Sequence, residues 1–386
     1  MNDRAKTQSR TCTKLALLVG SNPLPNYLAA MALKAREVVL VYTPETAEPR
    51  DRLRAVLVKK GLTVTESCIE DATDARLIRD ACTKLDADHL HYSGGTKPMA
   101  AHARMTVVKE DEQASYLDER QGLLRFENGC DCQLSDMDFA LTLDVLLELH
   151  GTTRNASTDT RPAPTEQDAK TLAKWILEDP SRVSLILDHF KPLDQGKRKN
   201  LPLTDAKGRP FTFEGPALSV AKVPEDGWSK KTYEHWLDFF CGTWLEMWTE
   251  SVLRGCLGNT APPIEVGVNC TRNDVPFEID VVFVRGHRLS AISCTTDSTK
   301  GLCKSKLFEI AMRCRQMGGD LARSALVCML DGNDSRGTFV EQLRADIASV
   351  WDAPNMPQVF GLADLREWAG IGQAPDTARL KEWLDS

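Results

Sequence analysis

The hexapeptide Ser93-Gly94-Gly95-Thr96-Lys97-Pro98 combines the requirements of an anion site in one turn. Two glycines let the backbone turn and present amide hydrogens, the start of a helix adds its positive dipole end, and Lys97 adds a full charge, so phosphate is the expected guest. The loop is not a Walker A motif, because Thr96 separates Gly95 from Lys97. The plain alternative is a tight turn, since Gly-Gly often follows a strand. A second concentration of charge runs from Arg285 to Arg323, where eight basic residues stand against three acidic ones. On a helix, Lys306, Glu309 and Arg313 share one face, opposite Leu307, Ile310, Ala311 and Cys314. Such a face draws phosphate backbones unless it is merely a solvated surface. Other chemistries find little support. His89-x-His91 reads as a buried strand pair, Cys130-x-Cys132 has no second pair to complete a zinc site, and neither HExxH nor Gly-x-Ser-x-Gly occurs.

The elements that must carry these residues follow from hydrophobic patterning. Strands are expected at residues 15–19, 38–42, 62–67 and 87–92, with helices at 26–34, 53–60 and 73–85 between them. Continuous apolar strands joined by helices imply a parallel, Rossmann-like sheet covered on both faces, with ligands beyond the carboxyl ends of its strands. Gly20-Ser21-Asn22, Thr43-Pro44-Glu45 and the Ser93 loop therefore converge on one crevice. Residues 151–168, rich in Thr, Ser, Asn and Pro, read as a linker, so the first domain spans 1–150. Residues 151–227 read as linker and a small helix-plus-hairpin or winged-helix-like module, including a helix from 169 to 190. A second α/β domain spans 228–386. There, Tyr233, Trp236, Leu237, Phe240, Trp244, Met247 and Trp248 recur at helical spacing in a helix ending near Gly255, the tryptophans read as core or dimer interface rather than base-stacking platforms. A hairpin is expected around Arg285-Gly-His-Arg288, then a helix at 304–317 and a strand at 324–330.

Composition bounds the remaining classes. A chain of 386 residues with 42% hydrophobic and 27% charged content is neither a peptide hormone nor a disordered segment. Its net charge of −7 makes nucleic-acid binding a matter of local surface. Residues 15–33 are uncharged but contain Asn22, Pro23, Pro25 and Asn26, so no membrane span is expected. Met1 to Lys14 lacks a secretory pattern, and the twelve scattered cysteines read as reduced, mostly buried thiols, so a cytoplasmic location is expected.

Leu17-Leu-Val-Gly-Ser-Asn-Pro-Leu-Pro25 together with Tyr92-Ser-Gly-Gly-Thr-Lys-Pro-Met99 resembles the CRISPR-associated Rossmann fold (CARF) sensor, in the subgroup fused to a restriction-endonuclease-like domain. The resemblance implies a homodimer whose paired sensors bind cyclic tetra- or hexa-adenylate, a product of type III CRISPR complexes. It implies that Ser21, Asn22, Thr43, Ser93, Gly94, Gly95, Thr96 and Lys97 line the ligand site on the dimer axis.

Glu278-Ile279-Asp280 at the start of one strand, thirteen residues before Ser293-Cys294-Thr295 at the end of the next, resembles the PD-(D/E)xK nuclease hairpin. Gly242-Thr-Trp-Leu-Glu246 is similar to that family's leading helix. This implies Asp280, Glu246 and the Cys294 carbonyl as ligands of Mg²⁺ or Mn²⁺, hard oxygens for a hard cation. The chain departs where the family carries its acid and lysine: Ser293 and Thr295 supply neither negative ligand charge nor a cation. The remaining candidates are Asp297 and a displaced cation from Lys300, Lys304 or Lys306, with Glu309 on the same helix. The implied activity is a cyclic-oligoadenylate-activated nuclease acting on RNA or DNA; the alternative is a ligand-responsive protein whose nuclease domain binds nucleic acid or a partner without cutting. A nucleotide-metabolising Rossmann enzyme is disfavoured by the absence of Gly-x-Gly-x-x-Gly.

Overall fold

The apolar runs in β1 (Lys14–Leu18) and β2 (Glu37–Tyr42) become strands buried on both faces. In this computed structural model, residues 11–119, 121–137, 139, 141–155, 164–184, 235–352 and 355–386 are described. The first domain continues through α1 (Leu24–Ala32), α2 (Ala47–Lys59), β3 (Thr63–Cys68), α3 (Ala75–Cys82), β4 (His89–His91), α4 (Lys97–Val107), β5 (Ala114–Asp118), β6 (Leu123–Phe126), β7 (Cys132–Gln133) and α5 (Leu143–Leu149). Strand order is β3-β2-β1-β4-β5-β6-β7, parallel through β5 and antiparallel beyond it. The parallel sheet matches the Rossmann-like expectation. Leu15 and Leu17 pack toward α1, α2 and α5, while Ala16 and Leu18 pack toward α3 and α4.

The second sheet has the order β15-β12-β11-β10-β9-β8. Its elements are β8 (Thr153–Arg154), α6 (Glu166–Glu178), α7 (Trp244–Leu257), β9 (Ile264–Arg272), β10 (Val275–Arg285), β11 (Arg288–Thr295), α8 (Lys300–Gly318), β12 (Arg323–Cys328), a ribbon of β13 (Asn333–Asp334) and β14 (Gly337–Thr338), α9 (Phe339–Ala348), β15 (Gln358–Phe360), α10 (Leu362–Ala369) and α11 (Ala378–Asp385). Helices α8 and α9 cover one face; α6, α7, α10 and α11 cover the other.

Two expectations are corrected. The start of the proposed linker is an edge strand, since Thr153 and Arg154 pair with Thr271 and Cys270 and Arg154 forms an ion pair with Glu265. Asp168 belongs to the capping box of α6 with Thr165. The Trp-rich helix is not continuous: a π-helical turn, Phe239–Thr243, precedes α7. Trp236, Trp244 and Trp248 are buried in the core beneath the second sheet. Trp228, Tyr233 and the small module at 192–223 lie outside the described residues.

The two sheets share one hydrophobic cluster. Residues of β1, α1, α2 and α5 pack with Val268, Ile279, Val282, Leu289 and Ala291 of the second sheet and with Ile310, Cys314 and Met317 of α8. One core therefore joins the first domain to α8, the helix that carries Lys306 and Glu309.

Candidate functional sites

Strands β1 and β4 are parallel neighbours, so the loops after them lie side by side. Their approach depends on glycine. A Cβ on Gly94 would collide with the Leu18 carbonyl oxygen and lie 2.8 Å from the Gly20 nitrogen, and Gly95 has φ +74°. Thr96 caps α4, accepting the Met99 N–H and donating to the Ala72 carbonyl. Lys97 follows, exposed on the first turn of the helix. Ser93 accepts the Leu117 N–H, and Ser21 is exposed. Beside Ser93, the ring centroids of Tyr92 and Tyr116 are 5.6 Å apart in a cleft of about 500 Å³, which Asp320 of the second domain also lines.

Two of the expected ligand residues serve structure as well. Thr43 is 4% exposed and closes a turn with Thr46, to which its N–H donates. Asn22 Oδ1 accepts the Leu24 N–H at 3.1 Å and lies 3.2 Å from His150 Nε2, while its amide nitrogen packs over Gly319 at the end of α8. The loop thus touches both domains. Gly94→Ala is expected to destabilise the first domain by at least about 2 kcal/mol, because backbone rather than a flexible side chain blocks the methyl; urea unfolding measures it.

The catalytic candidates gather where β10 leaves β11. Ladder pairing between these strands ends at Val281 and Ile292, and there the Asp280 carboxylate takes over, accepting the Cys294 N–H at 2.6 Å and the Ser293 hydroxyl at 3.0 Å. On the other side, the register places Asp280 opposite Gly267, whose φ is +63°. Val268 and Ile279 pack into the shared inter-domain core, whereas Val266 and Val281, two positions along, pack into the opposite core. Both strands therefore wrench at this point, a distortion that glycine permits and that re-aims side chains as bulges do. N–H and C=O of one strand residue point the same way, so the Cys294 carbonyl also turns toward Asp280. Its thiol points elsewhere, to Thr249 in the core.

Glu246 on the first turn of α7 completes the group. Burial, then repulsion by Asp280 and Glu278, pushes its carboxyl up to about 8, and Lys306 opposes this. Burial also raises Asp280, against the hydrogen bonds from Cys294 and Ser293 and the field of Lys306. Glu278 is raised by burial and by Asp280 and Asp238. Carboxylates that repel one another in a partly buried site favour a cation among them. Among the described residues, no three His, Cys, Asp or Glu side chains converge tightly enough to hold an ion alone. Two carboxylates and a backbone carbonyl form a donor set that fits magnesium or manganese with water completing the shell.

The lysines, equivalent in sequence, separate in space. Lys300 donates to Gln342 and Lys304 pairs with Asp346 at 2.9 Å, both turned toward α9 rather than toward the acids. The charge of Lys306 acts on Glu246, Glu278 and Asp280, holding each of them down, and Glu309 lies near enough to repel Asp280. Asp297 accepts the Thr299 N–H in the turn before α8.

The basic stretch from Arg285 to Arg323 is not one surface. Arg285, Arg288 and Arg323 bond to the end of α11, Arg315 pairs with Asp320, and Arg313 lies over the Phe277 ring at 4.4 Å; of the basic residues in this stretch, Lys306 is the one whose field reaches the acids. His89 and His91 are buried and share Ser115 Oγ at 2.9 and 3.1 Å, as a structural pair.

Solved structures share this fold. Can2 from Sulfobacillus thermosulfidooxidans, in complex with cyclic tetra-adenylate, is 16% identical with a TM-score of 0.69, covering 97% of this chain and 98% of its own. Protein VC1899 from Vibrio cholerae is 14% identical with a TM-score of 0.72 and the same coverage. A type III CRISPR defence DNA nuclease activated by cyclic oligoadenylate is 19% identical with a TM-score of 0.51, over 92% of this chain and 55% of that one. No protein-family model and no curated protein matches the chain. The two-sheet arrangement of the described residues is thus a known fold.

Sequence reasoning missed Glu278 and Asp238 as members of the acidic group. Glu278 stands two residues before Asp280, a same-face spacing on a strand that offered a signal; Asp238, eight residues before Glu246, offered none.

Proposed function

We propose that this chain is a cyclic-oligoadenylate-activated, metal-dependent nuclease of type III CRISPR defence, acting as a homodimer on RNA or DNA. The observation that carries this reading is the half-buried pair Asp280 and Glu246, in the field of Lys306, where β10 parts from β11. Residues 1–150 form the sensor, and β8 and α6 join the sheet and core of the nuclease domain at 235–386. The likeness of the whole chain to a cyclic tetra-adenylate complex supports assigning the Ser93–Lys97 loop, with Ser21 and Asn22, to the activator's phosphates.

Asp280, Glu246 and the Cys294 carbonyl would hold Mg²⁺ or Mn²⁺. Such an ion acidifies a water and neutralises charge on the phosphate under attack. Ser293 and the Cys294 N–H fix one Asp280 oxygen and leave the other for the ion. Lys306 takes the place of the lysine that Thr295 does not supply, steadying the nucleophile or the phosphorane charge. Asn22 against Gly319 gives the sensor a direct hold on the end of α8, the helix that carries Lys306.

Labelled single- and double-stranded RNA and DNA, incubated with Mn²⁺ and with or without cyclic tetra- or hexa-adenylate, test the reading. Activator-dependent cleavage abolished by chelation is expected; no cleavage in any combination removes the enzyme. Lys306→Met should lower cleavage by about 10- to 100-fold, a larger loss than for Lys304→Met, in single-turnover assays.

A further inference from the structure

The turn between β10 and β11, Arg285-Gly286-His287-Arg288, reaches back to the first domain. His287 lies against Gly122 of the β5–β6 turn, where a Cβ would sit 2.8 Å from the ring's Nε2, and Gly122 has φ +64°. His287 is 8% exposed, and neither of its ring nitrogens has a hydrogen-bond partner. Beside this turn, Arg323 opens β12 and is 6% exposed. Its Nη1 donates to the Trp383 and Leu384 carbonyls at 3.2 and 2.8 Å, closing the end of α11. Its Nε and Nη2 are buried without a partner. These two nitrogens form one edge of the guanidinium, a pair of parallel donors spaced for two oxygens of a single oxyanion.

The surroundings are cationic. Arg285 Nη1 bonds to the Leu384 carbonyl and to Asp385, and Arg288 Nη1 to the Ser386 backbone oxygen. Burial together with Arg288 and Arg285 brings Arg323 down to about 10 despite Asp385, and burial with Arg288 and Arg323 brings His287 down to about 4. Positive charge here exceeds its nearby acids, and a buried cation with a bare donor edge is expensive unless an anion meets it.

We infer that this joint between the domains binds one small oxyanion of the phosphate or sulfate class, held side-on by Arg323 Nε and Nη2 beside the His287 ring. The guest fastens three parts together: the β5–β6 turn of the first domain, the β10–β11 turn, and the end of α11. It is independent of the nuclease reading, since none of these residues belongs to the Asp280 group.

Equilibrium dialysis of the full chain against labelled inorganic phosphate, with ionic strength fixed by chloride, tests the inference. Saturable binding that Arg323→Lys weakens at least about tenfold is expected, because lysine keeps the charge and loses the fork. Lys97→Glu, which weakens phosphate at the sensor loop, should leave that component in place, and sulfate should compete where acetate and chloride do so poorly. If Arg323→Lys does not fold, His287→Asn gives the same reading, with weaker binding expected. Phosphate binding that the joint variants leave unchanged, or no saturable binding above the chloride background, overturns the inference.

Discussion

Asp280→Asn is expected to lower metal-dependent cleavage by at least about 100-fold, about 2.7 kcal/mol of transition-state stabilisation, while activator affinity and fold stay close to wild type. The asparagine side chain keeps an oxygen that accepts the Cys294 N–H, so the point where β10 parts from β11 retains its hydrogen bond. What it loses is the negative charge a divalent ion needs. Asp280→Ala removes both, leaves a buried N–H without its acceptor, and adds a destabilisation of about 1–3 kcal/mol. Comparing the two variants by cleavage rate and by urea unfolding separates the chemical role of this carboxylate from its structural one. If Asp280→Asn cleaves as fast as wild type, Asp280 is only a strap across the hairpin. If wild type itself binds nucleic acid and never cuts, the chain is a ligand-responsive binder.

How much of this was legible in one sequence depended on whether the signal was local. The parallel strands and their helices read correctly because Leu15 to Leu18 and Val38 to Val41 are uninterrupted apolar runs, and a strand covered on both faces has no other composition. The Gly94-Gly95 turn was legible for the same reason: the demand on backbone shape is met by the residues themselves. Asp280 and the Ser293–Thr295 segment were singled out by resemblance to a nuclease hairpin, and the fold joins them through the Asp280 hydrogen bonds. The wrench at Gly267 was not, because a lone glycine in a strand is common and its meaning here comes from the carboxylate opposite it. Lys300, Lys304 and Lys306 differ by a few positions on one helix, and it is the packing of α9, through Gln342 and Asp346, that turns two of them away from the acids. Counting charge from Arg285 to Arg323 suggested one basic surface; the fold sends three of those arginines to the end of α11, a destination a one-dimensional count does not contain. Thr153 and Arg154 read as linker because an edge strand two residues long has no pattern until β9 lies beside it.

Glu246 sets an expected pH dependence of stability that is opposite to that of most carboxylates. Its carboxyl titrates near 8 in the folded protein against an ordinary 4.5, so the folded state holds the proton more tightly than the unfolded chain. Its contribution to stability is therefore complete below about pH 4.5, erodes as the pH rises toward 8, and is gone above it. The change amounts to a few kcal/mol, since each tenfold difference in proton affinity between the two states is worth about 1.4 kcal/mol. Burial is the largest cause, followed by Asp280 and Glu278, with Lys306 acting against them. Glu246→Gln removes the titration while keeping the shape, so its melting temperature should fall less than that of the wild type between pH 6 and pH 8.5, when both are measured without divalent ions. Manganese should raise the wild-type melting temperature at pH 8.5, because an ion that takes the carboxylate replaces the displaced proton, and it should do so far less for Glu246→Gln. The two parts fail separately. Parallel melting curves for the two proteins across that range would place Glu246 in water rather than among the acids, whereas divergent curves with no response to manganese would leave a half-buried carboxyl that repels its neighbours and recruits no ion.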